Sequence, residues 1–368
     1  MQTILNQLVY FGFFQSILIL LIYLFSSRKR KNINGFMAFL IFMLFIGLSG
    51  KVLHSAGFWD SNFRLIAFSE LSALLFGPTV FLFTRSTLEQ KEFSTPDLAH
   101  YVPGVFYSLF IVIYFMIQTD ATLIERAATG ETKRAIYGFH AVGLIVNLTY
   151  WILSWRVFRN FSEKMRNELS YETRTRFIVN FLIVVGTCLF IWTVLYITSF
   201  FGYEMLERNA RPYIWIVLTL IILFVTYYGM VSPEVLRIIP ESTTRKYNQS
   251  KLSIQEMKRL SEQLDKLMME KKPYLNNKLL KSELAEMFGI NDPELSRLLN
   301  ESIGMNFFEY INYYRIKEFI LLAKTERAKQ LTFFGLAQEA GFNSKTTFNK
   351  SFKKLMGSSP SDYFDKNQ

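Results

Sequence analysis

The sequence predicts an all-α chain, with a polytopic seven-helix transmembrane domain followed by a cytoplasmic double helix-turn-helix domain. Three observations carry this expectation. Seven apolar runs before Ser232 reach the length of a bilayer span. Charge density rises abruptly after that residue. From Lys272 onward apolar residues recur with helical period, without the alternation of strands. The domains expected are 1–232 in the membrane, a linker over 233–271, and the helix-turn-helix domain over 272–368.

The chain is 51% hydrophobic with mean hydropathy +0.19, high for a soluble protein, but the average hides the division. Up to Ser232 there are 19 Lys/Arg and 13 Asp/Glu over 232 residues; beyond it there are 22 and 17 over only 136. The first part is apolar with sparse charge, and the second has the charge of a soluble domain. Both are net positive, giving +11 overall, which suits lipid headgroups or nucleic acid phosphates without choosing between them. The single cysteine, Cys188, excludes a disulfide framework or cysteine zinc site within one chain. The first apolar stretch has no basic residues before it and no small-residue cleavage pattern after it, so it is expected to remain as a span.

The seven runs cover about 3–25, 34–54, 63–85, 101–118, 136–158, 177–200 and 211–231. Seven stretches of this length, most without internal charge, argue against a large soluble bundle. The first connection holds Arg28, Lys29, Arg30 and Lys31, and the fifth holds Arg156, Arg159, Lys164, Arg166, Arg174 and Arg176. The alternate connections are poorer in basic residues and carry Asp120, Glu125, Glu131, Glu204 and Glu207. The positive-inside rule then puts the amino terminus outside and everything after the seventh span in the cytoplasm. The expected location is the bacterial inner membrane.

Titratable residues at membrane depth are costly and invite a functional question. Lys51 and His54 end the second span, Glu70 sits about two turns into the third, and His140 one turn into the fifth. All four fall in the outer half on this topology, as a ligand-sensing pocket would; the structural alternative is a snorkelling Lys51 paired with Glu70. Asn147 and Asn180 read as interhelical hydrogen-bond residues. Gly47–Gly50, "GLSG", matches a short intramembrane-protease motif, but four residues in a chain with three histidines carry little. No metal-binding HExxH, glycine phosphate loop or kinase histidine box is present, so no enzyme, cofactor or metal is expected.

Pro233 and Pro240 break the chain after the last span. In the following segment Met257, Leu260, Leu264 and Leu267 keep 3-4-3 spacing. That stripe suits a short coiled coil forming a homodimer through 252–268, or packing on the next domain.

Two turn signals repeat beyond it. In "LKSELAEMFGINDPELSRLLNES", Ala285 permits close helix packing, Gly289 the turn, and Asp292 a cap ahead of Pro293. Leu295, Leu298 and Leu299 are expected inside, with Glu294, Ser296 and Arg297 outside. Ala337 and Gly341 repeat the spacing. There Phe342, Phe348 and Phe352 face the core, while Ser344, Lys345, Thr346, Asn349 and Lys350 project outward. Lys353 and Lys354 suit phosphates, and Ser359, Pro360 and Asp362 start a last helix. Between them "NFFEYINYYRIKEFILLAKT" reads as one rigid connector. Two such motifs can place their second helices in successive major grooves about 34 Å apart.

The stretch 272–365, with "ELAEMFG", "LSRLLNESIGMNFFEYINYYRI" and "LAQEAGFNSKTTFNKSFKKLMGSSPSDYF", closely resembles the DNA-binding domain of AraC/XylS-type bacterial transcription regulators. The resemblance covers roughly a quarter of the chain. It implies double-stranded promoter DNA as partner. Glu294, Ser296 and Arg297 would form the first recognition surface, and Lys345, Thr346, Asn349 and Lys350 the second. Two departures stand out: an acidic "NDPE" opening, which repels phosphate, and Phe319 where the family usually has a small residue. The expected function is a membrane-embedded one-component regulator that senses an extracytoplasmic or membrane signal. The alternative is a transporter or channel-like protein with a DNA-binding regulatory tail.

Overall fold

The computed structural model describes residues 2–25, 31–55, 71, 73–171, 175–202, 219–221 and 254–365. Every regular element among them is helical, apart from one antiparallel bridge between Leu169 and Leu280. The chain divides into an N-terminal unit, Met1–Arg159 with Arg174–Ile238, and a C-terminal unit, Asn160–Thr173 with Ile239–Gln368.

The N-terminal unit contains α1 (Gln2–Phe25), α2 (Lys31–Ser55), α3 (Phe76–Glu89), α4 (Val102–Ile111), α5 (Asp120–Ala128), most of α6 (Glu131–Glu168) and α7 (Arg176–Phe200). A 3₁₀ stretch leads into α4 and a π turn extends it to Met116. Three stretches among the described residues are long and apolar enough to cross a bilayer: Thr95–Met116, Glu131–Glu168 and Phe177–Phe200. Gln7–Ile22 and Gly35–Gly50 are shorter apolar stretches. The structure thus supplies three candidate spans where the sequence predicts seven. Residues 63–70 and 72 of the expected third span and nearly all of the seventh lie outside the described residues.

Polar side chains tie these helices together. Asn147 accepts from Gly77 N at 2.8 Å and donates to Ala73 O at 3.0 Å and Gly143 O at 2.7 Å, fastening α6 to the start of α3. Trp151 donates to Leu182 O at 2.8 Å, linking α6 to α7, and Gly186 leaves room for its ring. The Ser49 hydroxyl of the GLSG stretch donates to Ile46 O at 2.6 Å, one turn back in its own helix.

The C-terminal unit contains α8 (Ile254–Lys271), α9 (Lys281–Phe288), α10 (Asp292–Arg297), α11 (Phe307–Ala323), α12 (Phe333–Glu339), α13 (Lys345–Met356) and α14 (Pro360–Asp365). A π turn, Leu298–Ile303, continues α10. The apolar stripe of α8 packs on this unit, the second of the two arrangements its spacing allows. Met257 and Leu264 are buried with Leu284, Leu295, Leu298 and Leu299, and Leu260 and Leu267 are half-buried against the same core. The Tyr310 and Tyr314 hydroxyls both donate to Asp265 Oδ1, at 3.0 and 2.6 Å, fixing α8 against α11.

The connector α11 serves two cores. Phe307, Tyr310, Ile311 and Tyr314 pack in the first, around α8 to α10. Ile316 and Phe319 pack in the second, with Leu336, Ala337, Phe342, Phe348 and Phe352. Arg315 sits between those two sets and is 1% exposed. Phe319 fills the second core with its ring, 4.6 Å from Phe348 and 5.7 Å from Phe352.

Candidate nucleic-acid interface

Both turn signals form helix-turn-helix motifs with the same local bonding. After α9, Gly289 N donates to Glu286 O and Ile290 N to Ala285 O; after α12, Gly341 N donates to Gln338 O and Phe342 N to Ala337 O. The glycines take φ of +78° and +94°, which side-chain-bearing residues rarely adopt, closing each helix in a Schellman-type cap. Ala285 and Ala337 are 2% and 0% exposed, which brings each following helix close.

The first motif differs from its sequence reading by one residue. Asn291, not Asp292, caps α10: its Oδ1 accepts from Glu294 N at 2.9 Å, and Glu294 Oε2 accepts from Asn291 N at 3.1 Å. Pro293 then falls in the second helical position, where its missing N–H is equally harmless. Glu294 is therefore engaged in a capping box. Ser296, expected outside, is half-buried and its hydroxyl accepts from Lys281 Nζ at 3.0 Å. Arg297 Nε donates to Glu301 Oε2 at 2.9 Å, one turn ahead. All three expected recognition residues of this motif are held by intramolecular contacts.

The second motif presents its polar row outward. Ser344 caps α13, its hydroxyl accepting from Thr347 N at 3.4 Å, so this side chain is a helix cap. Lys345, Thr346, Asn349, Lys350 and Lys353 are exposed, opposite the buried Phe348 and Phe352. Lys354 reaches Glu309 Oε1 of α11 at 2.5 Å. Burial pushes the Glu309 carboxyl up, but hydrogen bonds from Lys354 and Asn306 N outweigh it and hold the group below its ordinary 4.5. Thr347, between the outward residues, is buried. The row is thus a surface that can approach a major groove with amide, hydroxyl and ammonium groups foremost. Asp362 N donates to Ser359 Oγ at 3.2 Å, starting α14 where its sequence signal stands.

Arg315 is the contact that sequence reasoning missed. Its guanidinium donates to Tyr274 O at 2.8 Å, Asn276 O at 2.8 Å, Ser170 O at 2.6 Å, Ser170 Oγ at 3.0 Å and Asn312 Oδ1 at 3.2 Å. All five acceptors are neutral, and burial pushes its pKa down to about 9. An arginine amid "YYRIKEF" gives no signal of such partners.

Of the four expected sensing residues, the side chains of Lys51, His54 and Glu70 lie outside the described residues. His140 is described: its Nδ1 accepts from Trp192 Nε1 at 3.2 Å, joining α6 to α7. Because the indole N–H only donates, that ring nitrogen is unprotonated in this bond.

Residues 284–366 match the family described as "Helix-turn-helix domain". The chain is similar to the HTH-type transcriptional activator AarP of Providencia stuartii, 30% identical over 125 residues, which are 34% of this chain and 84% of that relative. No solved structure matches the chain.

Proposed function

Because the chain belongs to the AraC-type family of helix-turn-helix transcription regulators through its C-terminal part, we propose that it is a membrane-embedded one-component regulator, passing a membrane or extracytoplasmic signal to promoter DNA. The observation that carries the DNA half is the exposed row Lys345, Thr346, Asn349, Lys350 and Lys353 on α13, mounted on an aromatic core. In this reading Lys345 and Asn349 reach base edges, and Lys350 and Lys353 serve bases or phosphates. The first motif contributes less, since Glu294, Ser296 and Arg297 are held within the fold.

The membrane half rests on apolar helices whose outward faces are hydrocarbon-like. Phe106, Ile145 and Phe190 are 69%, 66% and 68% exposed on the three long apolar stretches. Side chains of this kind, so exposed, suit lipid better than water. Residues 160–173, the last turns of α6 and the start of its connection to α7, belong to the same compact unit as the DNA-reading motifs. That agrees with the topology in which the basic fifth connection and the C-terminal part share the cytoplasm. The seven-span topology and a pocket including Lys51, His54, Glu70 and His140 remain part of this proposal.

Two experiments test it. Purified full-length chain in lipid nanodiscs, offered a random duplex pool, is expected to enrich a sequence motif with half-sites about one helical turn apart. Retention without sequence enrichment would sink the regulator reading. Alkaline phosphatase fused after residue 240 is expected to be inactive; a strongly active fusion would reverse the orientation.

A further inference from the structure

α6 extends well beyond the apolar stretch it contains. Its 38 residues span about 57 Å, against roughly 30 Å of bilayer hydrocarbon. Its last turns, from Asn160, belong to the C-terminal unit, and residues 166–170 contact the start of the first motif and the connector α11. Leu169 pairs with Leu280 in an antiparallel bridge, and Ser170 N donates to Leu279 O at 3.3 Å. Lys281 Nζ lies between Glu168 Oε1, at 2.8 Å, and the Ser296 hydroxyl, at 3.0 Å. Ser170 supplies two of the five acceptors around the buried Arg315. Arg166 lies over the Phe308 ring, 6.0 Å from its centroid.

We propose that residues 166–170 form a latch on the first helix-turn-helix motif: engaged, it weakens DNA binding, and its release strengthens it. This rests on the DNA-binding reading above. The argument is one of charge and occupancy. With the latch engaged, Lys281 is 6% exposed and neutralised by Glu168, so this cation beside the recognition helix is unavailable to phosphate. Its ammonium also holds the Ser296 hydroxyl, at a position expected to face DNA. Glu168 adds a carboxylate within electrostatic reach of Asp292. Burial pushes the Asp292 carboxyl up; Lys281 pulls it back, and the Glu168 charge adds a smaller upward push. Withdrawal of Glu168 would release Lys281 and Ser296 together and remove one negative charge. Since α6 supplies residues to both units, a displacement of that helix reaches the latch without crossing the segment 233–250.

The test locks the latch covalently. Directly opposed residues of an antiparallel pair have Cα atoms about 4.5–5.5 Å apart, inside the range a disulfide accepts. The double variant Leu169→Cys/Leu280→Cys, made full-length with Cys188→Ala and held in nanodiscs, is oxidised and its affinity measured for duplexes selected from a random pool on the parent chain. Reduction of the same preparation provides the unlocked comparison, so a folding defect cannot imitate the effect. The oxidised form is expected to bind about 5- to 150-fold more weakly than the reduced form, the usual range for coupling between two sites. A Glu168→Gln chain is expected to bind more tightly than the parent. Failure of the disulfide to form, equal affinity in both states, or tighter binding when oxidised would each overturn the latch while leaving DNA binding intact. Loss of all duplex retention in both states, with the parent also failing to retain any, would overturn the DNA-binding reading and the latch with it.

Discussion

Substituting the two turn glycines by alanine separates positions that look equivalent in sequence. At both Gly289 and Gly341 an added Cβ meets the left-handed backbone penalty, about 1–2 kcal/mol. Around Gly289 nothing lies within 4 Å of the new atom, so the loss ends there. At Gly341 the Cβ would stand 2.3 Å from Tyr274 O, 3.0 Å from Leu275 Cα and 3.1 Å from Arg315 Nε. The backbone must shift, and Tyr274 O is the atom that accepts from Arg315 Nε at 2.8 Å. Losing a hydrogen bond to a charged group adds about 1.5–3 kcal/mol. Gly341→Ala is therefore expected to cost roughly 2.5–5 kcal/mol, a large share of a typical domain's 5–15. Pulse proteolysis of the full chain across a urea series, following fragments of the C-terminal unit, gives both values. Equal losses at the two glycines would refute the claim that the second turn is seated against Tyr274 and Arg315.

The remaining predictions concern the recognition row and its support. Lys345→Ala and Asn349→Ala are each expected to reduce binding to a selected sequence by about 1–3 kcal/mol more than to random duplex. Equal losses on both would assign these residues to the backbone rather than to bases. Glu309 titrates lower in the folded chain than its ordinary 4.5, so its stabilising contribution is present above that pH and is lost as pH falls through the folded value. The urea midpoint of the parent should thus decline more steeply with acidification below about pH 4.5 than that of Glu309→Gln. Parallel declines would mean that the Lys354 contact is too loosely held to matter.

The parts legible in the sequence are those written in local periodicity and turn chemistry. Leu295, Leu298 and Leu299, and again Phe342, Phe348 and Phe352, are buried where helical spacing puts them. Capping is legible only to within a residue. Asn291 and Asp292 are adjacent, both can cap, and Pro293 is tolerated in either first-turn position, so only the observed Asn291 bond decides. The α8 stripe is ambiguous for another reason: a coiled-coil seam and a face docked on a core present the same 3-4-3 spacing. What decides is the partner surface, here including Asp265 beneath two tyrosine hydroxyls, and no local pattern records it. Ser296 shows the same limit, since its burial depends on Lys281, fifteen residues earlier, and on Glu168, far up the chain.

Arg315 ties the two motifs together structurally. A guanidinium between the two cores of α11 places all its donors on neutral oxygens from two other parts of the chain, residues 274–276 and Ser170, and from Asn312. Removing such a cation from water is expensive, and no carboxylate among its bonded partners repays it. Its fixed, planar fork is instead a geometric gauge: Tyr274 and Asn276 must stand on one side and Ser170 on another before all donors are used. Gly341 closes the second motif against the same Tyr274 carbonyl, and the Phe342 ring lies 5.8 Å from the guanidinium carbon. The turn of the second motif, the entry to the first and the end of α6 therefore meet at one side chain. Ser170 thus touches, through Arg315, the residues that seat both motifs, and its displacement is expected to disturb the packing of both.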